Sequence, residues 1–170
     1  TREGYIWEQE RSNSKIYGKT LMAEVRRYGL RAREVAKKEH FDVIHAHDWL
    51  SFLAGIEAKK ISGKPLILHV HATEFDRTGG QGINKEVYDI ERMAMNQADG
   101  IIAVSNFTKQ KIIEHYGVSA DKIEVIHNGI DECDYANIPE RLIELKKSGK
   151  KIVLFAGRIT IQKGPEYFIR

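Results

Sequence analysis

The chain has 170 residues, 42% of them apolar and 30% charged, with a formal net charge of +3 at pH 7. That is ordinary globular composition, enough for one domain or one domain plus part of another. The small basic excess is too thinly spread to mark a nucleic-acid binder. The longest apolar runs, Pro65 to Val70 and Ile152 to Ala156, fall far short of a membrane span, and a lone cysteine, Cys133, excludes an intrachain disulfide.

Residues Thr1 to Lys15 are polar and aromatic and read as a loop, without an initiator Met or a signal-peptide pattern. A long helix is predicted from Ile16 to Lys38, with Met22, Val25, Leu30 and Val35 among its apolar positions. Gly29 is unfavourable inside it and offers a break point. Five short, β-branched, apolar segments then read as buried parallel strands: Asp42 to Ala46, Pro65 to Val70, Gly100 to Val104, Lys122 to Ile126 and Lys151 to Ala156. Helical patterns lie between the first four, at Asp48 to Ile61, Asn84 to Ala98 and Phe107 to Tyr116, with Gly117 placed as a C-terminal cap. The chain stops at Arg170 inside another apolar helical pattern, so both ends are expected to be internal to a longer protein.

Strand-helix-strand alternation implies right-handed βαβ units and an α/β, Rossmann-like parallel sheet with flanking helices. The composition changes at Asn128-Gly129, and Ser148-Gly149 precedes the last strand. The expected division is therefore a domain over residues 1–129, a linker over 130–149 and the start of a second domain over 150–170. The fifth strand could continue the first sheet or open a second one.

Ligands of open parallel sheets bind outside the carboxyl ends of the strands. The polar residues of this chain gather at those places: His45, His47, Asp48 and Trp49; His69, His71, Thr73, Glu74, Asp76 and Arg77; Ser105 and Asn106; His127, Asn128 and Gly129; Gly157, Arg158 and Lys163. Gly157 permits a tight strand exit, Pro165 suits the first turn of a helix, and Arg158 and Lys163 lie on the loop between. Two cations at a helix N-terminus can cradle a diphosphate. The plainer reading is a pair of solvated surface cations.

Gly157-Arg158, four residues, then Lys163-Gly164 resembles the loop that opens the second domain of the two-domain (GT-B type) retaining glycosyltransferases. That group 1, family 4-like family includes glycogen and starch synthases, sucrose synthase and many bacterial sugar transferases. His45-Ala46-His47-Asp48-Trp49, His71-Ala72-Thr73-Glu74, Val104-Ser105-Asn106-Phe107-Thr108 and Asn128-Gly129-Ile130-Asp131 are similar to its other strand exits, in order. The resemblance implies a partial GT-B fold: the later part of an N-terminal domain and the first β-α unit of a C-terminal one. It implies transfer of a hexosyl, most simply glucosyl, unit from a nucleotide-sugar to a glycan acceptor, with retention. Arg158, Lys163 and Gly157 would bind the donor diphosphate, and His71 would act near the reaction centre. His47, Asp48, Glu74, Ser105 and Asn128 are assigned to the acceptor side of the cleft. For His47 and Asp48 helix capping is an equal alternative; Ser105 and Asn106 are expected chiefly as caps, Asn128-Gly129 as a hinge turn, Trp49 as packing and His69 as a buried structural residue.

The family's glutamate pair has no counterpart, since Glu132 and Glu140 precede the cation loop and read as linker acids. The glycine-rich loop and base pocket are also missing, so the chain alone is expected to be inactive. No cofactor or metal is expected; the substrate would be a nucleotide-sugar, ADP- or UDP-glucose, with cations replacing a metal. No nucleic-acid partner or integral membrane segment is expected, and the location is expected to be cytoplasmic. Without its opening strands the sheet would expose a parallel edge, so Lys151 to Ala156 is expected to add to it or to swap into a second copy. Two rivals stay open: a hydrolase whose zinc is held by His45-x-His47 and His69-x-His71 with Asp48 or Glu74, and a non-catalytic carbohydrate-binding or regulatory module.

Overall fold

A computed structural model describes residues 19–130 and 138–170. Four strands, β1 (Ile44–His47), β2 (Leu66–Val70), β3 (Gly100–Ala103) and β4 (Ile123–Val125), pair in chain order, all parallel. The connections are helical: α2 (Asp48–Ser62) after β1, α3 (Glu74–Arg77) and α4 (Lys85–Gln97) after β2, α5 (Asn106–Tyr116) after β3. α1 (Lys19–Ala36) precedes the sheet, and α6 (Glu140–Lys147), a 3-10 turn (Ile161–Lys163) and α7 (Pro165–Ile169) follow it. This is the α/β Rossmann-like order expected from the sequence.

Period-two alternation divides the strand residues between two faces. Ala46, Leu66, Leu68, Val70, Ile101, Ala103 and Ile123 are buried in one core cluster with Phe52 and Ile56 of α2, Val87 and Met95 of α4, and Ile112 of α5. The intervening residues His45, Ile67, His69 and Ile102 are half-buried or exposed. Gly55 sits where α2 crosses the sheet. A Cβ there would come within 2.8 Å of Leu66 and 3.0 Å of Ala46, so close helix–sheet contact requires glycine.

Local signals set the helix ends. The Asn84 side chain accepts from the backbone N–H groups of Glu86 and Val87 at the start of α4. Gly117, left-handed at φ 68°, ends α5 by donating to Ile113 O, as expected. α1 does not divide at Gly29. The helix is continuous because tertiary packing on α2 outweighs the weak propensity of one glycine; the Cβ position of Gly29 lies 3.5 Å from Leu53.

The fifth predicted strand does not form. Lys151 to Ala156 carries no strand pairing, and Ile152, Val153 and Leu154 are exposed. A strand is stable only with a partner, and this segment joins neither the β1 edge nor the β4 edge. α3 was not anticipated, being a single turn too short to leave a periodic signal. Cys133 and Glu132 lie outside the described residues.

Candidate functional site

The geometry begins at the junction of β1 and α2. Asp48 sits there with φ 55°, a left-handed conformation that Asp tolerates better than most residues. Its side chain does not cap α2. Asp48 Oδ1 instead accepts from the backbone N–H of His71 at 2.8 Å and of Ala72 at 3.4 Å, tying the exit of β2 to that of β1. His47 occupies the N-cap position without a side-chain cap bond. Its Nδ1 lies 3.2 Å from His71 Nε2, so one of the two nitrogens carries the shared proton. The capping alternative for His47 and Asp48 thus gives way to contacts that hold the His71 segment. His45 and His69 stack alongside, and burial, then their histidine neighbours, lowers the pKa of both.

Beyond His71 the chain turns into α3 and is fixed from below. The N–H and hydroxyl of Thr73 both donate to the Asp76 carboxylate at 2.8 Å. Arg77 donates to Ala72 O at 2.7 Å and to Glu74 Oε2 at 3.2 Å, and also bonds Glu91. Glu91 in turn accepts from the Glu74 N–H at 3.1 Å and from the Tyr116 hydroxyl. Burial pushes the Glu91 carboxyl above its ordinary range, against the pull of Arg77. Burial and the Glu91 charge also push the Tyr116 phenol up, so it stays a donor.

Above this base lies a cleft of about 560 Å³ that includes His71, Phe75, Gly79, Gly80, Lys111 and Lys163 in its lining. Lys163 therefore faces the same space as His71. Arg158 lines an adjoining depression with Trp49, Leu50 and Arg77, and Gln162 borders both. The loop carrying the two cations rests on the turn after α3: the position of a Cβ on Gly79 lies 3.4 Å from Ile161. Gly164, at φ 54°, turns the 3-10 segment into α7 with Pro165 at its first position. Arg158 and Lys163 are exposed and form no ion pair among the described residues, leaving both charges available to an anion.

A family model described as Glycosyltransferase Family 4 matches residues 13–132, more than half of the chain. The chain belongs to that family. An uncharacterized glycosyltransferase of Methanocaldococcus jannaschii is 33% identical over 154 residues, covering 82% of this chain and 40% of that protein. A glycogen synthase of Mycobacterium tuberculosis is 29% identical over 143 residues, covering 81% of this chain and 34% of its own length. Among solved structures, Anabaena HepE in complex with UDP-glucose has the same fold, with a TM-score of 0.52 at 23% identity over 73% of this chain and 31% of that one. The family 4 chain thus spans well under half the length of these relatives.

Of the sequence-predicted site residues in this family 4 chain, His71 and Lys163 share the cleft, His47 and Asp48 contact the His71 segment, and Arg158 lies next door. Ser105 caps α5, accepting from the Thr108 N–H at 3.1 Å, while Asn106 is the first helical residue. Glu74 was expected on the acceptor side. It is fully buried, with its carboxylate turned to Arg77 and the Asn84 N–H, so it supports the cleft from beneath. Asn128 is exposed after β4 and does not border this cleft. Trp49 is buried packing, as anticipated. Sequence reasoning missed Phe75, Lys111 and His115. Phe107, Lys111 and His115 recur every four residues, a spacing that places them on one face of α5. His115 also stacks on Phe75 at 3.9 Å between centroids.

Among the described residues, no helix is long and apolar enough to cross a membrane.

Proposed function

We propose that this chain forms the diphosphate-facing part of an enzyme that moves a hexosyl unit, most simply glucosyl, from a nucleotide-sugar to a glycan acceptor with retention. The observation that carries this reading is the shared cleft of His71 and Lys163 at the carboxyl end of β2. Family membership supports the reaction class. A glycogen synthase among the relatives supports glucose as the unit transferred, with ADP- or UDP-glucose as donor.

In this reading Lys163 and Arg158 offset the charge that grows on the departing diphosphate. Gly157 leaves room for the loop to turn. His71, held by Asp48 and His47, hydrogen-bonds the transferred sugar or its leaving oxygen. Ser105 and Asn128 contribute at most to the acceptor side. The substrate carries the activated group, so the reading needs no cofactor. The 170 residues alone are expected to turn over no substrate, since the relatives use more than twice this length. A cytoplasmic location belongs to the same reading.

Turnover of the complete protein tests it. Lys163→Ala should lower kcat by about 10²–10³, as for a lost oxyanion-type contact. An unchanged kcat would remove the diphosphate role of Lys163.

A further inference from the structure

Four imidazoles crowd the ends of β1 and β2. His45 and His47 alternate on β1, as His69 and His71 do at the end of β2, so all four stand on the same side of the sheet. Strand register sets His47 beside His69. Ring centroids are 4.4 Å apart for His45 and His47, 4.8 Å for His47 and His69, and 5.4 Å for His45 and His69. One ring nitrogen from each of these three lies within 4.8 Å of the other two.

The central ring has no ordinary reason to be satisfied. Both nitrogens of His69 are shut off from solvent, and neither has a hydrogen-bond partner. A buried polar atom left unpaired is costly, and native structures rarely keep one without cause. His45 and His47 are exposed, so an ion can reach the set from solution.

We propose that His45, His47 and His69 form a binding site for a borderline divalent transition-metal ion such as Zn²⁺. Zinc accepts three protein nitrogens and keeps a fourth position for water or another ligand. With Zn–N bonds of about 2.0–2.1 Å, tetrahedral geometry places nitrogens roughly 3.4 Å apart, so the set must close by up to about 1.4 Å, within reach of side-chain rotation.

The carboxylates nearby are committed elsewhere. Asp48 accepts from two backbone N–H groups, and Glu74 is buried against Arg77. An all-imidazole set favours zinc, copper or nickel over calcium or magnesium, which seek oxygen. The set also differs from the zinc-hydrolase alternative in having no carboxylate ligand, and what is proposed is a binding site.

The test uses the 170-residue chain made without a histidine tag and stripped with chelator. Zn²⁺ titrated against a chromophoric chelator should fill one equivalent. His45→Gln and His47→Gln, both at exposed positions, should each weaken binding by at least the 10–100-fold that second-shell partners alone are worth. His40→Gln and His127→Gln should leave it unchanged. Cobalt should give the visible absorption of a low-coordinate site in the wild type, and lose it in His69→Gln variants that melt as the parent does. Failure to bind one equivalent, or binding that survives both the His45 and His47 substitutions, would overturn the site.

Discussion

At the residue scale, the cleft depends on side chains that do not face it. Arg77 satisfies two carboxylates, Glu74 and Glu91, beneath the turn that presents His71. Removing one member of a buried charge network leaves the others uncompensated, typically at about 3–5 kcal/mol. Arg77→Leu should lose that much stability near neutral pH, read as a shift of the denaturant midpoint. The pH dependence has a definite sign. Glu91 already has a raised pKa in the folded state from burial, and loss of Arg77 raises it further. A carboxyl raised in the folded state costs nothing while both states are protonated. Its cost grows as pH rises from the ordinary Glu value, about 4.3, through the folded-state value. The variant's deficit should therefore shrink toward pH 4; a deficit independent of pH would contradict this account of the network.

At the element scale, the sheet is held by close contacts that a side chain would spoil. Gly55→Val should overpack α2 against Leu66 and Ala46 and destabilise by about 1–3 kcal/mol. A thermal melt equal to the parent's would show that α2 can shift away from the sheet freely. The first four strands were legible because buried parallel strands concentrate branched apolar residues in short runs, as in Ile101-Ile102 and Leu66-Ile67-Leu68. Lys151 to Ala156 has the same composition, yet strand formation depends on an available edge, which composition does not encode. Asp48 read equally as a cap because Asp before a helical run usually is one. Its left-handed backbone and its bonds to residues 71 and 72 depend on the neighbouring strand, more than twenty residues away. Glu74 looked like a cleft acid because its motif places it after a strand, but the partner that draws it inward, Arg77, shows only once α3 forms.

At the scale of the whole molecule, two distant stretches of chain meet. The strand ends supply His71 and its supports, and the loop near residue 160 brings Lys163 onto the same cleft and Arg158 beside it. The sequence located His71 and its supports correctly at strand ends, whereas Arg158 and Lys163 follow a segment that forms no strand. It did not show that Lys111 joins Lys163 in the cleft, because a lysine on an amphipathic helix ordinarily faces solvent. Family membership places the chain in glycosyltransferase family 4, and the cation pair is what would make this part of it a nucleotide-sugar site. Isothermal titration of UDP-glucose and ADP-glucose into the complete protein tests that most directly, comparing the parent with the Arg158→Ala, Lys163→Ala double variant. One of the two donors should bind the parent and lose at least about tenfold in affinity in the double variant, a difference of 1.4 kcal/mol or more. Binding of equal strength to both proteins, or of neither donor to the parent, would contradict the proposed role of the cleft.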